Sequence, residues 1–284
     1  MDKFYIILNN TKKNGNGISE SIMNYLKSKG KSCSCKTMDD VENKAYSYTN
    51  ADDIPDDTEC CIVIGGDGTL IQAAGDTYMK GIPYVGINMG TLGFLAEAEA
   101  KDVYAALDAL INDEYTIEER MMVKGRVISG GKVVAENLAL NDIVVKGDSP
   151  LRIVRLKVYV NGEFLNLYAA DGIIYATPTG STAYNLSAGG PIVSPTANMI
   201  VMTPICPHTL VPGSIVFRGE DKITVEICSD RGDGLHAIIF DGDNVVTVKQ
   251  GDYAEITASD KKVKMIKLNK LNFFQNLRQK MADV

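Results

Sequence analysis

The most constraining stretch of this chain is residues 61–70, Cys-Ile-Val-Ile-Gly-Gly-Asp-Gly-Thr-Leu, an apolar run that stops at a double glycine, an aspartate, a third glycine and a threonine. Residues 61–64 read as a buried parallel strand, and Leu-Ile-Gln-Ala-Ala at 70–74 reads as the start of a helix. A strand that feeds a helix through glycines lets backbone N–H groups approach a phosphate, because no side chain stands in the way. Thr69 stands where it can cap the helix, and Asp67 falls at the carboxyl end of the strand, where open α/β sheets hold their ligands. A carboxylate is ill suited to cradling phosphate. It suits a base or orienter for a hydroxyl, or a ligand for a cation that bridges phosphates, and this points to phosphoryl transfer. The plain alternative is a tight turn whose aspartate caps a helix.

The bulk properties narrow the classes. A chain of 284 residues with 45% hydrophobic content can bury a large core and is expected to form two domains. Its formal net charge of −7 gives no basic surface for nucleic acid. The apolar run near Met1 is too short for a signal peptide, and no stretch approaches the roughly 18 apolar residues of a membrane span. A soluble, cytoplasmic protein with no membrane partner is expected. The 6 cysteines show no Cys-x-x-Cys or zinc-ligand spacing, so reduced, mostly buried thiols are expected and no residue is assigned to a metal. With His208 and His236 as the only histidines, a histidine-based nucleophilic triad is not expected. The chemistry must rest on carboxylates.

Strand and helix signals alternate over residues 1–119: strands at 4–8, 61–64 and 82–88, and helices at 18–26, 70–74 and 103–111. Such alternation implies a Rossmann-like α/β domain around a parallel sheet. From 120 to 264 short alternating strands with Gly and Asn-Gly turns take over, at 121–128, 132–137, 153–160 and 223–227, and Asn161-Gly162 marks a hairpin. This part is expected to be an all-β domain, a β-sandwich. Residues 265–284 return to helical spacing, with Leu271, Phe274, Leu277 and Met281 on one face, and are expected to form a helix that packs back on the N-terminal domain.

Three further constellations carry chemistry. Asn88-Met89-Gly90-Thr91-Leu92-Gly93-Phe94-Leu95 is a second glycine loop at a strand end, and two such loops side by side build a crevice. In Leu140-Asn141-Asp142 the amide of Asn141 can read an adenine-like edge, and Asp142 can accept hydrogen bonds from neighbouring ribose hydroxyls, although for the pair taken alone an Asx turn at a strand start is the better reading. The run from Ala170-Asp171-Gly172 to Gly189-Gly190-Pro191 concentrates hydroxyls, small residues and one aromatic, Tyr184, beside a buried strand; this composition suits a flat ligand. His208, set between Pro207 and Thr209, is expected to fix a loop.

Taken together, Gly65-Gly66-Asp67-Gly68-Thr69, the segment 88–94, Leu140-Asn141-Asp142, the run 171–191, Pro207-His208-Thr209-Leu210 and the tail Phe273-Phe274-Gln275-Asn276-Leu277-Arg278 resemble the NAD kinase family in order and spacing. The first motif is shared with lipid kinases and phosphofructokinases; the run 177–191 discriminates. The resemblance implies an enzyme that phosphorylates the 2′-hydroxyl on the adenosine ribose of NAD to give NADP. ATP or polyphosphate would be the donor, with a divalent cation, Mg²⁺ or Mn²⁺, in a homodimer or homotetramer. It implies that Asp67 accepts or orients the 2′-hydroxyl with Gly68 close to the substrate, and that Asn141 and Asp142 bind the adenosine end. It further implies that Asp171 meets the nicotinamide end, and that Thr179, Thr182, Ala183, Tyr184, Asn185, Leu186 and Ser187 line the dinucleotide, with Arg152 contributing. A carboxylate is a weak base for a ribose hydroxyl, so Asp67 is expected to orient more than to abstract.

Three positions depart from the commoner family pattern: Asp142 where glutamate is frequent, Ala169 where a basic residue is often found, and Asp243 where glutamine is common. Two rival readings share parts of the pattern. A lipid kinase would need access to a membrane, for which only the tail offers an amphipathic segment. A non-catalytic dinucleotide sensor would have no need of Asp67.

Overall fold

The computed structural model describes residues 1–8, 15–37, 49–90, 93–147, 153–208, 213–228, 235–268 and 272–282. The chain divides into two units, Met1–Glu119 with Val263–Val284, and Arg120–Lys262.

In chain order the first unit contains β1 (Lys3–Leu8), α1 (Gly15–Ser28), β2 (Ser32–Thr37), β3 (Cys60–Gly65), α2 (Asp67–Thr77), β4 (Tyr84–Asn88), the short β5 (Ala98–Glu99) and α3 (Val103–Ile111). Strands β2, β1, β3 and β4 lie side by side in that order, all parallel. Every residue of β3 is buried, which explains its unbroken apolar run: a parallel strand covered on both faces has no solvent side to mark with polar residues. On one face Phe4, Ile6 and Leu8 pack with Ile62 and Ile64 against Ile22 and Leu26 of α1 and Leu107 and Leu110 of α3. The other face buries Tyr5, Ile7, Cys61 and Val63. The cysteines among the described residues are free thiols. Burial pushes the Cys61 thiol up to about 12, so it packs as a small apolar group with no thiolate character.

The second unit contains β6 (Thr116–Ser129, which begins in the first), β7 (Lys132–Ala139), β8 (Asp142–Gly147), β9 (Val154–Val160), β10 (Glu163–Ala170), β11 (Gly172–Ala176), the single turn α4 (Tyr184–Ser187), β12 (Met199–Ile205), β13 (Ile215–Arg218), β14 (Ile223–Ile227), β15 (His236–Phe240), β16 (Asn244–Val248) and β17 (Tyr253–Lys267, which ends in the first). One sheet runs β10-β9-β14-β17-β6-β7, and the other runs β13-β12-β11-β8-β15-β16. Their inner faces close one core that includes Val123, Ile143, Val145, Leu156, Val158, Ile173, Tyr175, Met202, Val225, Ile238, Phe240 and Ile256. The expected α/β and all-β sandwich architecture is present. The hairpin between β9 and β10 turns at Asn161-Gly162 with φ of 52° and 87°, the left-handed geometry for which this dipeptide is suited.

In the second sheet the central strands are buried on both faces. Val144, Ile174, Ala176 and Val201 form a small cluster on the outer face, against which Ala188 and Val193 pack. Asp142, Val144 and Lys146 alternate along β8, so all three share this outer face.

The C-terminal segment corrects one expectation. Residues 265–267 are the end of a strand: Met265 pairs with Tyr84 in parallel, Lys267 forms an ion pair with Glu97, and the Leu268 N–H donates to Glu97 Oε2 at 3.0 Å. Burial of Val263 and Met265 around exposed Lys264 has the period of two that a strand imposes. The helix is confined to α5 (Phe273–Ala282). Of its expected apolar face, Leu271 lies outside the described residues and Phe274 is 70% exposed. The helix meets its own unit through Asn276 Nδ2, which donates to the Gly93 carbonyl at 3.5 Å, and through Lys280 over the Phe94 ring.

One core group is poorly served. Tyr175 is fully buried and its hydroxyl has no hydrogen-bond partner among the described residues, a state that costs about 1–3 kcal/mol. Tyr175→Phe is expected to raise the urea midpoint at unchanged slope. A lowered midpoint would show that water satisfies the hydroxyl.

Candidate functional site

Gly65 and Gly66 carry the chain from β3 into α2, and Asp67 is the first residue of the helix, at the positive end of its dipole. The cap expected of Thr69 is not formed: Gly66 occupies the N-cap with no side-chain cap bond, and Thr69 is buried within the first turn. A Cβ on Gly65 would meet Thr69 Oγ1 at 2.5 Å, so this glycine makes room for the threonine. The second glycine loop then meets Asp67 directly. Its carboxylate accepts the Phe94 N–H at 2.7 Å on Oδ2 and the Leu95 N–H at 3.2 Å on Oδ1. Gly93 leaves space for this contact, since a Cβ there would lie 1.9 Å from Oδ1. Gly68 is exposed, with nothing within 4 Å of a Cβ built on it. Asp67 is thus a fixed carboxylate with an open glycine beside it.

In the second unit a cavity of about 320 Å³ is lined by Asn141, Asp142, Val144, Lys146, Ala183, Tyr184, Ile239, Asp241 and Gly242. The corner Leu140-Asn141-Asp142 at its wall is held from two sides. From one side Thr177 Oγ1 donates to the Leu140 carbonyl at 2.6 Å, and the Thr177 N–H donates to the Asn141 carbonyl at 2.8 Å. From the other, Asp241 accepts three consecutive backbone N–H groups, Leu140 at 2.7 Å, Asn141 at 2.7 Å and Asp142 at 3.1 Å. The Asp241 N–H returns to the Asp142 carbonyl at 3.0 Å. Asp241 adopts a φ of 49°, which aspartate tolerates better than most residues.

Burial, with Asp241 beside it, pushes the Asp142 carboxyl up to about 7. Burial also raises Asp241 to about 6 against the opposing pull of its three N–H donors, with Asp243 adding to the rise. A folded value above the ordinary 3.8 means that the folded chain holds the extra proton between about pH 4 and pH 7. Stability is therefore lost as pH rises through that window. Asp142→Asn is expected to melt above the wild type at pH 8, with the gain shrinking to nothing near pH 4. A gain independent of pH would contradict this sign.

The run 171–191 is partly site and partly scaffold. Ala183 and Tyr184 line the cavity, and the Tyr184 hydroxyl is raised by burial, with Cys206, Asp142 and Asp171 adding to the rise. Asp171 is exposed at the bend before β11. Thr179 is buried and accepts from Arg120 at 3.4 Å, and Thr182 donates to the Thr179 carbonyl at 3.3 Å. Asn185, expected to line a ligand, is instead a brace. It is fully buried, its Nδ2 donates to the Ser181 and Pro191 carbonyls at 3.0 Å each, and its Oδ1 accepts from Thr203 at 2.6 Å. Leu186 and Ser187 are exposed outside the cavity wall. Arg152 lies outside the described residues. His208 is exposed, and its N–H donates to the Ala169 carbonyl at 2.7 Å.

Asp241 and Lys146, absent from the expected set, belong to the cavity. The available signal for Asp241 was an Asp-Gly pair closing an alternating strand, which reads as a hairpin turn and gives no hint of a second duty.

Residues 12–115 match the model of the ATP-NAD kinase N-terminal domain, and residues 140–268 match that of the ATP-NAD kinase C-terminal domain. The chain is 40% identical over 293 residues to the NAD kinase of Lachnospira eligens, covering 99% of this chain and 100% of that one. It is 43% identical over 285 residues to the NAD kinase of Agathobacter rectalis, covering 100% and 99%. Among solved structures it resembles yeast NADH kinase complexed with NADH, with a TM-score of 0.85 at 21% identity over 99% of this chain and 88% of that one. It also resembles an NAD kinase from Archaeoglobus fulgidus in complex with ATP, with a TM-score of 0.78 at 23% identity over the full length of both. At such identities these two structures speak for the fold alone.

Proposed function

This chain belongs to the NAD kinase family and is a phosphotransferase acting on NAD, and we propose that it moves the γ-phosphoryl group of ATP to the 2′-hydroxyl of the adenosine ribose, yielding NADP and ADP. The observation that carries the residue assignment is Asp67, held at the first turn of α2 by two backbone N–H groups. A carboxylate fixed in this way presents its remaining lone pairs in one direction, which is what aligning a ribose hydroxyl for in-line attack requires. Asp67 orients that hydroxyl, and Gly68 leaves room for the sugar. Asn141, Asp142, Ala183 and Tyr184 contact the dinucleotide, with Asp171 toward the nicotinamide. Thr179 and Thr182 support the loop, and Asn185 holds it shut behind them.

The ATP-NAD kinase domains that the chain matches, and the ATP complex of the Archaeoglobus fulgidus enzyme, favour ATP over polyphosphate as donor. Among the described residues no three His, Cys, Asp or Glu side chains gather as a cage for a metal. A divalent cation, Mg²⁺ or Mn²⁺, would be carried on the donor's phosphates. Bound there, it would neutralise charge on the transferring group. Free thiols at every described cysteine suit a reducing compartment, and we place the protein in the cytoplasm. Phe164, Leu165 and Leu167 are exposed on β10, the edge of its sheet among the described residues; such an apolar edge suits a homo-oligomer.

The test is NADP formation from NAD with ATP or polyphosphate and either cation, read by an NADP-specific dehydrogenase. ATP-dependent product supports the proposal. NAD binding without product from any donor would replace it with a dinucleotide sensor.

A further inference from the structure

The corner that presents Asn141 and Asp142 to the second unit's cavity lies where the sheet stops holding the chain. On one side the ladder of β8 with β11 ends at Asp142 and Ala176, and on the other the ladder with β15 ends at Ile143 and Phe240. Leu140 and Asn141 stand beyond both, so contacts outside the ladders fix their backbone. Thr177 takes the carbonyl side, and Gly180 closes in behind it: a Cβ there would lie 2.1 Å from the Asn141 carbonyl oxygen. Asp241 takes the N–H side, with Leu140 on Oδ2 and both Asn141 and Asp142 on Oδ1.

The turn that carries Asp241 has a counterpart in the same unit. Asn161-Gly162 joins β9 to β10 with φ of 52° and 87°, and Asp241-Gly242 leads from β15 toward β16 with φ of 49° and 82°. Asparagine serves this left-handed geometry as well as aspartate does, so the turn alone does not choose between them. The surroundings choose. Asn161 meets one donor and one acceptor: its Oδ1 accepts the Lys222 N–H at 3.0 Å, and its Nδ2 donates to Asp221 at 2.9 Å. Asp241 meets donors on both oxygens, which an amide cannot satisfy. What Asp241 holds at the start of β8, and not its own hairpin, explains the carboxylate.

We propose that Asp241 is a positioning residue for the dinucleotide: it fixes the backbone from which Asn141 and Asp142 project, so that both side chains meet the ligand already oriented. The reacting hydroxyl is left to Asp67. This deepens the function proposed above and rests on it. When such preorganisation is lost, the ligand must order the corner itself, and the loss falls on affinity. Saturating NAD restores the order, so the chemical step and the affinity for ATP are spared.

Initial rates over NAD and ATP, with calorimetric titration of NAD in the absence of ATP, test this on two variants. Asp241→Asn keeps Oδ1 for Asn141 and Asp142 but turns an NH₂ toward the Leu140 N–H, and its KM for NAD is expected to rise about tenfold. Asp241→Gly accepts the positive φ without strain and withdraws the carboxylate, and a rise of about a hundredfold is expected, the scale of hydrogen bonds to a charged group. In both, kcat and the KM for ATP stay close to the wild-type values. With Asn141→Ala/Asp142→Ala already in place, Asp241→Gly is expected to weaken NAD binding no further, because the side chains it positions are gone. Wild-type NAD affinity in a folded Asp241→Gly protein, a fall in kcat as large as the rise in KM, or additive losses in the combined variant would each overturn the proposal. Failure of both single variants to fold would overturn it too, since Asp241 would then be a structural brace. A wild-type protein that binds NAD but makes no NADP from any donor would overturn the proposed function instead, and the calorimetric comparison would still decide the role of Asp241.

Discussion

Asparagine in place of Asp67 is expected to lower turnover by about 10²-fold or more while NAD still binds, on the usual scale for a positioned acid–base group. The substitution is nearly isosteric, so its effect is chemical. The carboxylate offers two acceptor oxygens to Phe94 N–H and Leu95 N–H and keeps further lone pairs for a substrate hydroxyl. An amide offers one acceptor oxygen and one NH₂, so one of the two backbone donors must face another donor or turn away. The side chain loses its charge and its fixed direction together. Initial rates give kcat, and calorimetry gives the NAD affinity of the same preparation. Turnover within a few fold of the wild type would remove Asp67 from the mechanism.

Gly93→Ala is expected to reproduce that loss without touching the carboxylate. A Cβ at position 93 would lie 1.9 Å from Oδ1, 2.2 Å from Cγ and 2.3 Å from Oδ2 of Asp67, distances that no packed atoms sustain. The penalty falls on the Asp67 contact. Either the carboxylate swings away or the 93–95 turn retreats, and both break the hydrogen bonds that aim it. Overpacking of this kind costs about 1–3 kcal/mol, which lowers the melting temperature without unfolding the protein. Turnover is expected to fall about 10²-fold, and the double variant Asp67→Asn/Gly93→Ala to lose little more than either single one, because both remove the same interaction. Wild-type turnover in Gly93→Ala would show that the placement of Asp67 is not critical. Fully additive losses would show that Gly93 acts elsewhere.

Local periodicity is legible in this sequence wherever one physical constraint dominates. The buried strand β3, the helix Val103–Ile111, the strand Ile223–Ile227 and the Asn161-Gly162 turn stand where their apolar spacing and turn chemistry place them. The change near residue 120 from alternating strands and helices to short strands likewise announced two kinds of architecture. The segment 265–267 failed this reading because Met and Ile at close spacing suit either a helix or a strand, and a partner strand at Tyr84 decided the matter.

The site divides along the same line. The sequence by itself determined the chemical inventory: a carboxylate between glycines at a strand end, an Asn-Asp pair at another, and a loop of hydroxyls around Tyr184. Only the tertiary structure decided what each does. It turned Asn185 inward to brace the loop, tied Asp67 to the turn that begins at Gly93, and brought Asp241 from a distant hairpin to hold three N–H groups beside Asp142. Propensity and periodicity act over a few residues. Hydrogen-bond partners and the field of a neighbouring charge act through space, across separations of about a hundred residues between Asp241 and the corner it holds.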